Sequence, residues 1–258
     1  MTLSNNNPVT DLPQIKLSEA KIFEVAVAVS INGISYAVMM VSPDKLKDFA
    51  LGFCLSEGLI YSVNEVLNIT VHSHELGWQV DLQVLARSQH RLKERRRNMA
   101  GPSGCGLCGL DSIEATMELK LLAKNSEIKR SSIPSETFII KAKETLPDIL
   151  KKQGGKRGYH SAVYFDLSAN LIACRQDVGR HSAFDKLLGC LCKNNLNIPN
   201  GFALLTSRCS HDLIAKAARV NLTTLVTLAQ PTDLAVHSAQ KTGLTLFCFQ
   251  QGQLKRFS

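Results

Sequence analysis

The first third of the chain carries the hydrophobic pattern of a small sheet. Apolar residues alternate with small or polar ones over 23–29, and a second apolar run covers 34–41. Asn32-Gly33 between them predicts a β-hairpin, because both central residues of such a turn need positive φ. Ser42-Pro43 predicts the start of a helix. Residues 78–84 alternate again and predict a half-buried strand, so the first 85 or so residues form an α+β unit.

The second half alternates strand-like and helix-like segments. Strands are predicted at 160–166, 171–175, 202–206, 223–228 and 244–249, and helices at 137–152, 181–192, 212–220 and 232–242. Pro147 predicts that the first of these helices is interrupted or shifted. Such alternation is typical of a layered domain with a partly parallel sheet. The predicted fold class is therefore α/β, or α+β overall, with a smaller N-terminal α+β domain before a layered α/β domain.

Composition shifts suggest the boundaries of these units. Residues 1–21 are polar and are expected to form a flexible tail. The α+β domain is assigned to 22–130, and it includes a basic segment and a glycine-rich turn with two cysteines. Residues 121–134 are polar and contain Pro134, which favours a linker. The α/β domain is assigned to 131–258.

The overall composition is that of a globular protein rather than a membrane-spanning one. Of the 258 residues, 45% are hydrophobic and 20% charged. No apolar run approaches the roughly 20 residues that span a bilayer, and the first ten residues lack the layout of a secretory signal. We therefore expect a cytoplasmic protein without membrane association. In that reducing compartment, the eight cysteines point to thiol or metal chemistry more than to disulfides.

The formal net charge of +8 is concentrated in one segment. Residues 87–97 contain six Lys or Arg and one acid, so they contribute +5. This surplus indicates an anionic partner. No aromatic residue is interleaved with the basic ones to stack on bases, so a nucleic-acid partner is not expected.

Three predicted strands run directly into polar turns that precede helices. These turns contain Asp177-Val178-Gly179-Arg180-His181, Ser207-Arg208 and Thr232. Ligands of open α/β sheets bind outside the carboxyl ends of strands, where helix N-termini suit phosphate. His160 begins another strand and is expected to face the same crevice. The alternative is that Asp177, Ser210 and Thr232 are only helix caps.

Cys105-Gly106-Leu107-Cys108 is the second chemical pattern. This spacing is compatible with zinc binding, disulfide exchange or sulfur transfer. Zinc needs about four ligands, and there is no second Cys-x-x-Cys. The neighbouring basic segment would lower a thiol pKa, which favours a reactive thiolate.

The other cysteines lie mostly in apolar patterns. Those expected in the core are Cys54, Cys174, Cys190, Cys192 and Cys248. Cys209 lies in the predicted crevice, and its role stays open.

Taken together, these motifs resemble those of the FdhD/NarQ family of formate dehydrogenase accessory sulfurtransferases. The segments that carry the resemblance are Asn32-Gly33, Ser42-Pro43, 49–53, 56–58, 104–109, 177–181, Asp185-Lys186, Ser207-Arg208 and 231–236. The combination of 104–109 with 177–181 is specific, and the matching segments span nearly the whole chain.

The resemblance implies a sulfurtransferase that receives sulfur from a cysteine desulfurase as a persulfide on Cys105, assisted by Cys108. It further implies transfer to the molybdenum cofactor, a bis-molybdopterin guanine dinucleotide, before that cofactor enters formate dehydrogenase. The family's second domain is similar to the cytidine deaminase fold. No permanently bound metal is implied, and a homodimer is compatible with the family.

The resemblance also implies a set of cofactor contacts in the C-terminal turn. These are Phe249, Gln250, Gln251, Gly252, Gln253 and Leu254. We expect the residues at the ends of the strands to join them, namely Asp177, Gly179, Arg180, His181, Ser207, Arg208, Thr232 and His160.

Several positions depart from the family pattern. Gln176 stands where an acid is common, Ser182 replaces an Asn, Cys209 interrupts the third motif, and 250–253 lack a basic residue. These departures concern the cofactor contacts and leave the cysteine pair unchanged.

Two other functions stay open. One is a non-enzymatic chaperone that binds and delivers the cofactor without sulfur chemistry. The other is a zinc deaminase or hydrolase, which needs His/Cys-x-Glu and Pro-Cys-x-x-Cys. Here Ser103-Gly104 precede Cys105, which disfavours the zinc enzyme.

Overall fold

The computed structural model describes residues 22–89, 132–155, 158–196 and 198–258. The first sheet contains β1 (Val25–Ile31), β2 (Ile34–Val41), β3 (Val66–His74) and β4 (Gly77–Val84) in the order β2-β1-β4-β3. β1 and β4 are parallel, and the other neighbours are antiparallel. Helix α1 (Leu46–Ser56) and a 3-10 turn (Val63–Glu65) connect β2 to β3.

The predicted hairpin between β1 and β2 is confirmed. Asn32 and Gly33 have φ values of 49° and 76°, as the turn requires. The predicted helix start at Ser42-Pro43 is wrong, because α1 begins at Leu46 after Lys45 in the left-handed region. Ser42 instead uses its backbone and side chain to bind the second sheet, as described below.

The second sheet contains β5 (His160–Asp166), β6 (Leu171–Asp177), β7 (Gly201–Arg208), β8 (Thr224–Ala229), β9 (Thr245–Gln250) and β10 (Gln253–Arg256). Their order is β10-β9-β8-β7-β5-β6. β7, β8 and β9 are parallel, whereas β5 is antiparallel to both of its neighbours and β10 is antiparallel to β9. The helices are α2 (Glu136–Lys152), α3 (Arg180–Lys193), α4 (His211–Arg219) and α5 (Asp233–Thr242).

The mixed α and β composition agrees with the predicted class. α2 covers one face of the second sheet, and α3, α4 and α5 belong to the apolar cluster on the other. The similarity of the second unit to the cytidine deaminase fold stays a prediction. The predicted domain boundary near 130 lies outside the described residues.

Pro147 does not interrupt α2, so the predicted break is wrong. The helix continues from Glu136 to Lys152. Its inner face buries Ile139, Ala142 and Leu146 against the sheet. This burial outweighs the hydrogen bond that a proline within a helix removes.

A helical layer joins the two sheets. α1 packs on the first sheet, α3 packs on the second, and the two helices lie against each other. A Cβ added at Gly52 would lie 1.8 Å from the carbonyl oxygen of Asp185, and one added at Gly189 would lie 1.9 Å from that of Asp48. Two glycines therefore allow the backbones to meet, and one apolar cluster extends through both sheets. Among the described residues, no helix is long and apolar enough to cross a membrane.

Candidate anion-binding site at the strand ends

Strand register places the predicted polar turns along one edge of the second sheet. β6 ends at Asp177, which pairs with His160 at the start of β5. β7 ends at Arg208, which pairs with Ala229 at the end of β8. β9 ends beside it at Gln250. α3, α4 and α5 all begin at this edge, so their N-termini lie along the strand ends, and this edge is called the crevice below.

The first turn of α3 carries two side chains that each have one buried nitrogen without a hydrogen-bond partner in the described part of the chain. They are Arg180, through its buried Nε, and His181, through its buried Nε2. The N-cap of α3, Gly179, makes no side-chain cap hydrogen bond. A buried donor without an acceptor costs free energy, so these groups favour a ligand that accepts hydrogen bonds.

The two crevice histidines are held neutral. Burial, and next the Arg180 guanidinium, lower the pKa of His181 to about 4. Burial and Arg180 also lower the pKa of His160. The Nε2 of His181 lies 3.8 Å from Oδ2 of Asp212, a carboxyl whose pKa burial raises. At neutral pH, the imidazoles therefore act as uncharged hydrogen-bonding groups.

The turn after β7 adds a second guanidinium. Arg208 is exposed at the edge, whereas Ser207 is buried and its Oγ donates to the carbonyl oxygen of Arg208. Ser210, the N-cap of α4, makes no side-chain cap hydrogen bond, and its buried Oγ has no partner among the residues that the structure describes. The crevice is thus lined by two arginines and two helix N-termini that lack side-chain caps.

Asp177 faces the protein rather than the crevice. It is fully buried. Its Oδ1 accepts from the Gly179 amide at 2.9 Å. Its Oδ2 accepts from the Ser42 amide at 3.0 Å and lies 2.8 Å from Nζ of Lys186. The carboxylate therefore holds the turn in place. Asp177 is not the N-cap residue of α3, which is Gly179, so the alternative of a simple helix cap does not apply to it.

Thr232 and Cys209 have local structural roles. The Thr232 hydroxyl accepts from the Ala235 amide at 3.2 Å, as a helix cap does. The Thr232 amide donates to the carbonyl oxygen of Cys209 at 3.0 Å. Cys209 is fully buried, and burial raises the pKa of its thiol to about 12. The thiol is therefore neutral and belongs to the core.

The C-terminal turn predicted to contact the cofactor is a tight hairpin between β9 and β10. Gln251 and Gly252 have φ values of 49° and 83°, and Gln250 pairs with Gln253 across the turn. This turn lies at the same edge of the sheet as Arg208.

The two ends of this segment belong to the core, and its middle is exposed. Phe249 is buried, with Nζ of Lys143 lying 4.7 Å from its ring centroid. Leu254 packs against the same apolar cluster. The segment therefore offers Gln251, Gly252 and Gln253 to solvent.

Cys105, Cys108 and most of the basic segment lie outside the described residues. Among the cysteines predicted in the core, Cys54, Cys174, Cys190 and Cys248 are buried, as expected, and Cys192 is half-buried. The described ranges contain no group of three His, Cys, Asp or Glu side chains arranged to hold a metal ion.

Two buried lysines were given no role from the sequence, although Lys186 belongs to one of the motifs that carry the resemblance. Nζ of Lys216 donates to both oxygens of Asp185, at 2.9 and 3.0 Å, and also to Ser56 and Glu57. Burial alone would lower the pKa of Lys216, but Asp185 and Glu57 outweigh it and hold this pKa above its ordinary value. Lys186 is the second. The sequence signal that could have identified both residues is a lysine at a position of a helix where the periodicity predicts an apolar, inward-facing residue.

The comparisons with known proteins agree on one family. The model of the FdhD/NarQ family matches residues 22–257. The sulfur carrier protein FdhD of Cupriavidus necator is 37% identical over 226 residues, which are 88% of this chain and 77% of that protein. The sulfur carrier protein FdhD of Acinetobacter baylyi is 35% identical over 237 residues, and the match covers 88% of this chain and 82% of that protein.

A solved structure shows that the architecture is shared. A protein from Desulfotalea psychrophila, assigned as a formate dehydrogenase accessory protein, superposes with a TM-score of 0.69 at 18% identity. The match covers 92% of this chain and 87% of that one. At this identity, the likeness concerns the fold.

Proposed function

Because the chain belongs to the FdhD/NarQ family, we propose that it is a sulfur carrier in the maturation of formate dehydrogenase. Its activity would be that of a cytoplasmic sulfurtransferase. It accepts persulfide sulfur from a cysteine desulfurase and passes it to the molybdenum cofactor, which is a substrate here. The observation that carries the proposal is the cationic crevice at the strand ends, in a chain that also has Cys105 and Cys108.

The accepting step needs a thiolate. The Cys105 thiolate attacks the terminal sulfur of the desulfurase persulfide and forms a new S–S bond. The S–S bond of the donor breaks, and the desulfurase cysteine leaves as a thiolate, so the exchange needs no external oxidant. Residues 87–97 contribute +5 close in sequence and would favour the thiolate. Cys108 assists by exchange or by protecting the persulfide.

The crevice suits the other substrate. A bis-molybdopterin guanine dinucleotide carries phosphates, which accept hydrogen bonds and bear negative charge. Arg180 and Arg208 supply guanidinium donors that suit phosphate, and the N-termini of α3 and α4 add backbone N–H groups. The exposed turn at Gln251 and Gly252 would contact the guanine arms.

The phosphate assignment also explains the unpartnered groups. Leaving a buried donor such as Arg180 Nε unsatisfied costs about 1–3 kcal/mol. A phosphate oxygen would satisfy it on binding. Because His181 and His160 are neutral, the two arginines supply the charge for this contact.

The decisive test of sulfur transfer is the intact mass of the protein after incubation with a cysteine desulfurase and cysteine. We expect a gain of about 32 Da on Cys105, one sulfur atom added to a thiolate. Cys105→Ala abolishes the gain, and Cys108→Ala weakens it. Cys192→Ala is the matched control, because Cys192 is the half-buried cysteine of α3 and should leave the mass gain unchanged.

A rescue experiment separates the carrier from the chaperone. The Cys105→Ala/Cys108→Ala double variant should fail to restore formate dehydrogenase activity in cells that lack the protein. Full rescue would overturn the carrier mechanism and favour a chaperone that delivers the cofactor without sulfur chemistry.

A further inference from the structure

The turn that carries Arg180 and His181 is held in place by the segment between β2 and α1. Oγ of Ser42 accepts from the Val178 amide at 3.2 Å, and the Ser42 amide donates to Oδ2 of Asp177 at 3.0 Å. Oδ1 of Asp177 in turn accepts from the Gly179 amide. Asp177 and Val178 are thus bonded to a residue that lies 135 and 136 positions earlier in the chain.

Lys186 closes this arrangement from α3. Its side chain is fully buried, and Nζ lies 2.8 Å from both Oδ2 of Asp177 and Oδ1 of Asp44. Nζ also donates to the carbonyl oxygens of Ser42, at 3.0 Å, and Gln176, at 3.4 Å. An ammonium has three donors, so these acceptors occupy all of them. Lys186 has no donor left for a ligand.

We propose that Asp177 and Lys186, together with Ser42, are positioning residues that fix the Arg180–His181 turn for anion binding. This inference rests on the proposed function of the crevice. The two charges neutralise each other inside the protein, and the arginine that meets the ligand lies three residues beyond Asp177. Removing Lys186 leaves the Asp177 carboxylate buried without its cation, which favours rearrangement of the turn.

The chain offers a matched control pair. Nε and Nη2 of Arg175 donate to Oδ2 of Asp48 at 3.0 and 2.7 Å. This pair joins α1 to β6, and its carboxylate is largely buried, as that of Asp177 is. In the described structure, no hydrogen bond or ion pair joins the side chain of either residue to the turn at Asp177–Arg180. Breaking either pair should therefore destabilise the fold, but only breaking the Asp177–Lys186 pair should displace the Arg180–His181 turn.

The test is calorimetric titration of the full chain with GDP, which supplies a guanine and two phosphates. We expect Lys186→Met to weaken GDP binding about tenfold or more, because a misplaced guanidinium loses charge-assisted hydrogen bonds. Arg175→Met should lower the melting temperature but keep the GDP Kd within about twofold, as expected for independent sites. Equal GDP affinity of Lys186→Met and the wild type would overturn the inference.

A milder pair of variants covers the case in which Lys186→Met does not fold. Ser42→Ala removes the acceptor of the Val178 amide but leaves both charges, and Ser42→Thr keeps the hydroxyl. We expect weaker GDP binding for Ser42→Ala and recovery for Ser42→Thr. Identical affinities for the two would contradict positioning by Ser42.

A second readout separates this inference from the proposed function. If the wild type does not bind GDP, the ligand class assigned to the crevice is wrong, and the position of the turn is then read from the NMR titration of His181. Displacement of the turn would reduce the burial that lowers the pKa of His181, so this pKa should rise in Ser42→Ala and not in Arg175→Met. An unchanged value in Ser42→Ala would show that the turn does not depend on Ser42.

Discussion

Asp177, Arg180 and His181 are separated by at most four positions in the sequence, yet their environments differ. The alternation of strands and helices correctly predicted that these polar residues gather at a strand end. It could not predict that Asp177 faces inward. That direction depends on Ser42 and Lys186, and the bond to Ser42 spans 135 positions. Local patterns carry little information about such long-range pairing.

The neutral state of His181 makes a testable contribution to the pH dependence of stability. Its pKa is about 4 in the fold and near 6.5 when unfolded, so protons bind more tightly to the unfolded chain. The free energy of unfolding is therefore unaffected by His181 above pH 6.5 and decreases as the pH falls from 6.5 towards 4. We expect the wild type to lose about 2 kcal/mol more unfolding free energy between pH 7 and 4.5 than His181→Gln.

Urea unfolding at the two pH values measures this difference. The comparison removes the contributions of other groups, such as His160, that titrate in both proteins. Equal losses in the wild type and His181→Gln would show that His181 titrates normally in the folded protein.

At the scale of elements, the contact between α1 and α3 depends on Gly52 and Gly189. A Cβ at either position would overlap a backbone carbonyl oxygen of the other helix. Gly→Ala in an exposed helix stabilises by about 1 kcal/mol. Here we expect the opposite sign, a loss of about 2–3 kcal/mol for Gly189→Ala, because the backbones must separate.

Chemical denaturation of purified variants measures this effect. Glu144→Ala, at an exposed position of α2, is the control and should change stability by less than about 0.5 kcal/mol. A stabilised Gly189→Ala variant would mean that the two helices do not approach as closely as described.

The elements that the sequence predicted well are those whose pattern is local. The hairpin at Asn32-Gly33 is one, and the helices and central strands of the second sheet are others. β3 and β10 were not predicted. β3 is mostly exposed or half-buried, and β10 is a short edge strand, so neither has a strong alternation. Their positions are set by pairing with β4 and β9.

At the scale of the whole molecule, one apolar cluster extends through both sheets. It contains Val29 and Val80 from the first sheet, Phe49 from α1, and Leu187 and Leu205 from the second unit. Separating the units would expose this surface to water. We therefore expect a single cooperative thermal transition, with a calorimetric enthalpy equal to the van't Hoff enthalpy.

Differential scanning calorimetry tests this expectation, and Gly52→Ala provides its control. Because Gly52 lies at the junction of the two units, the variant should shift the whole transition to lower temperature. Two resolved transitions, or a shift of only part of the heat absorption, would instead support units that unfold independently.

The ion pairs Asp177–Lys186 and Asp185–Lys216 limit how this sequence can change during evolution. Loss of Lys186 or Lys216 would leave a buried aspartate without its cation, at a cost of about 3–5 kcal/mol, so each lysine is tied to its aspartate whatever the crevice binds. The stretch from Asp177 to Lys186 therefore has two parts, a buried frame of Asp177, Asp185 and Lys186 and a lining of Arg180 and His181 whose side chains take no part in these two ion pairs. A related protein could therefore keep the frame, remain recognisable as a member of the family, and bind a different ligand in the crevice.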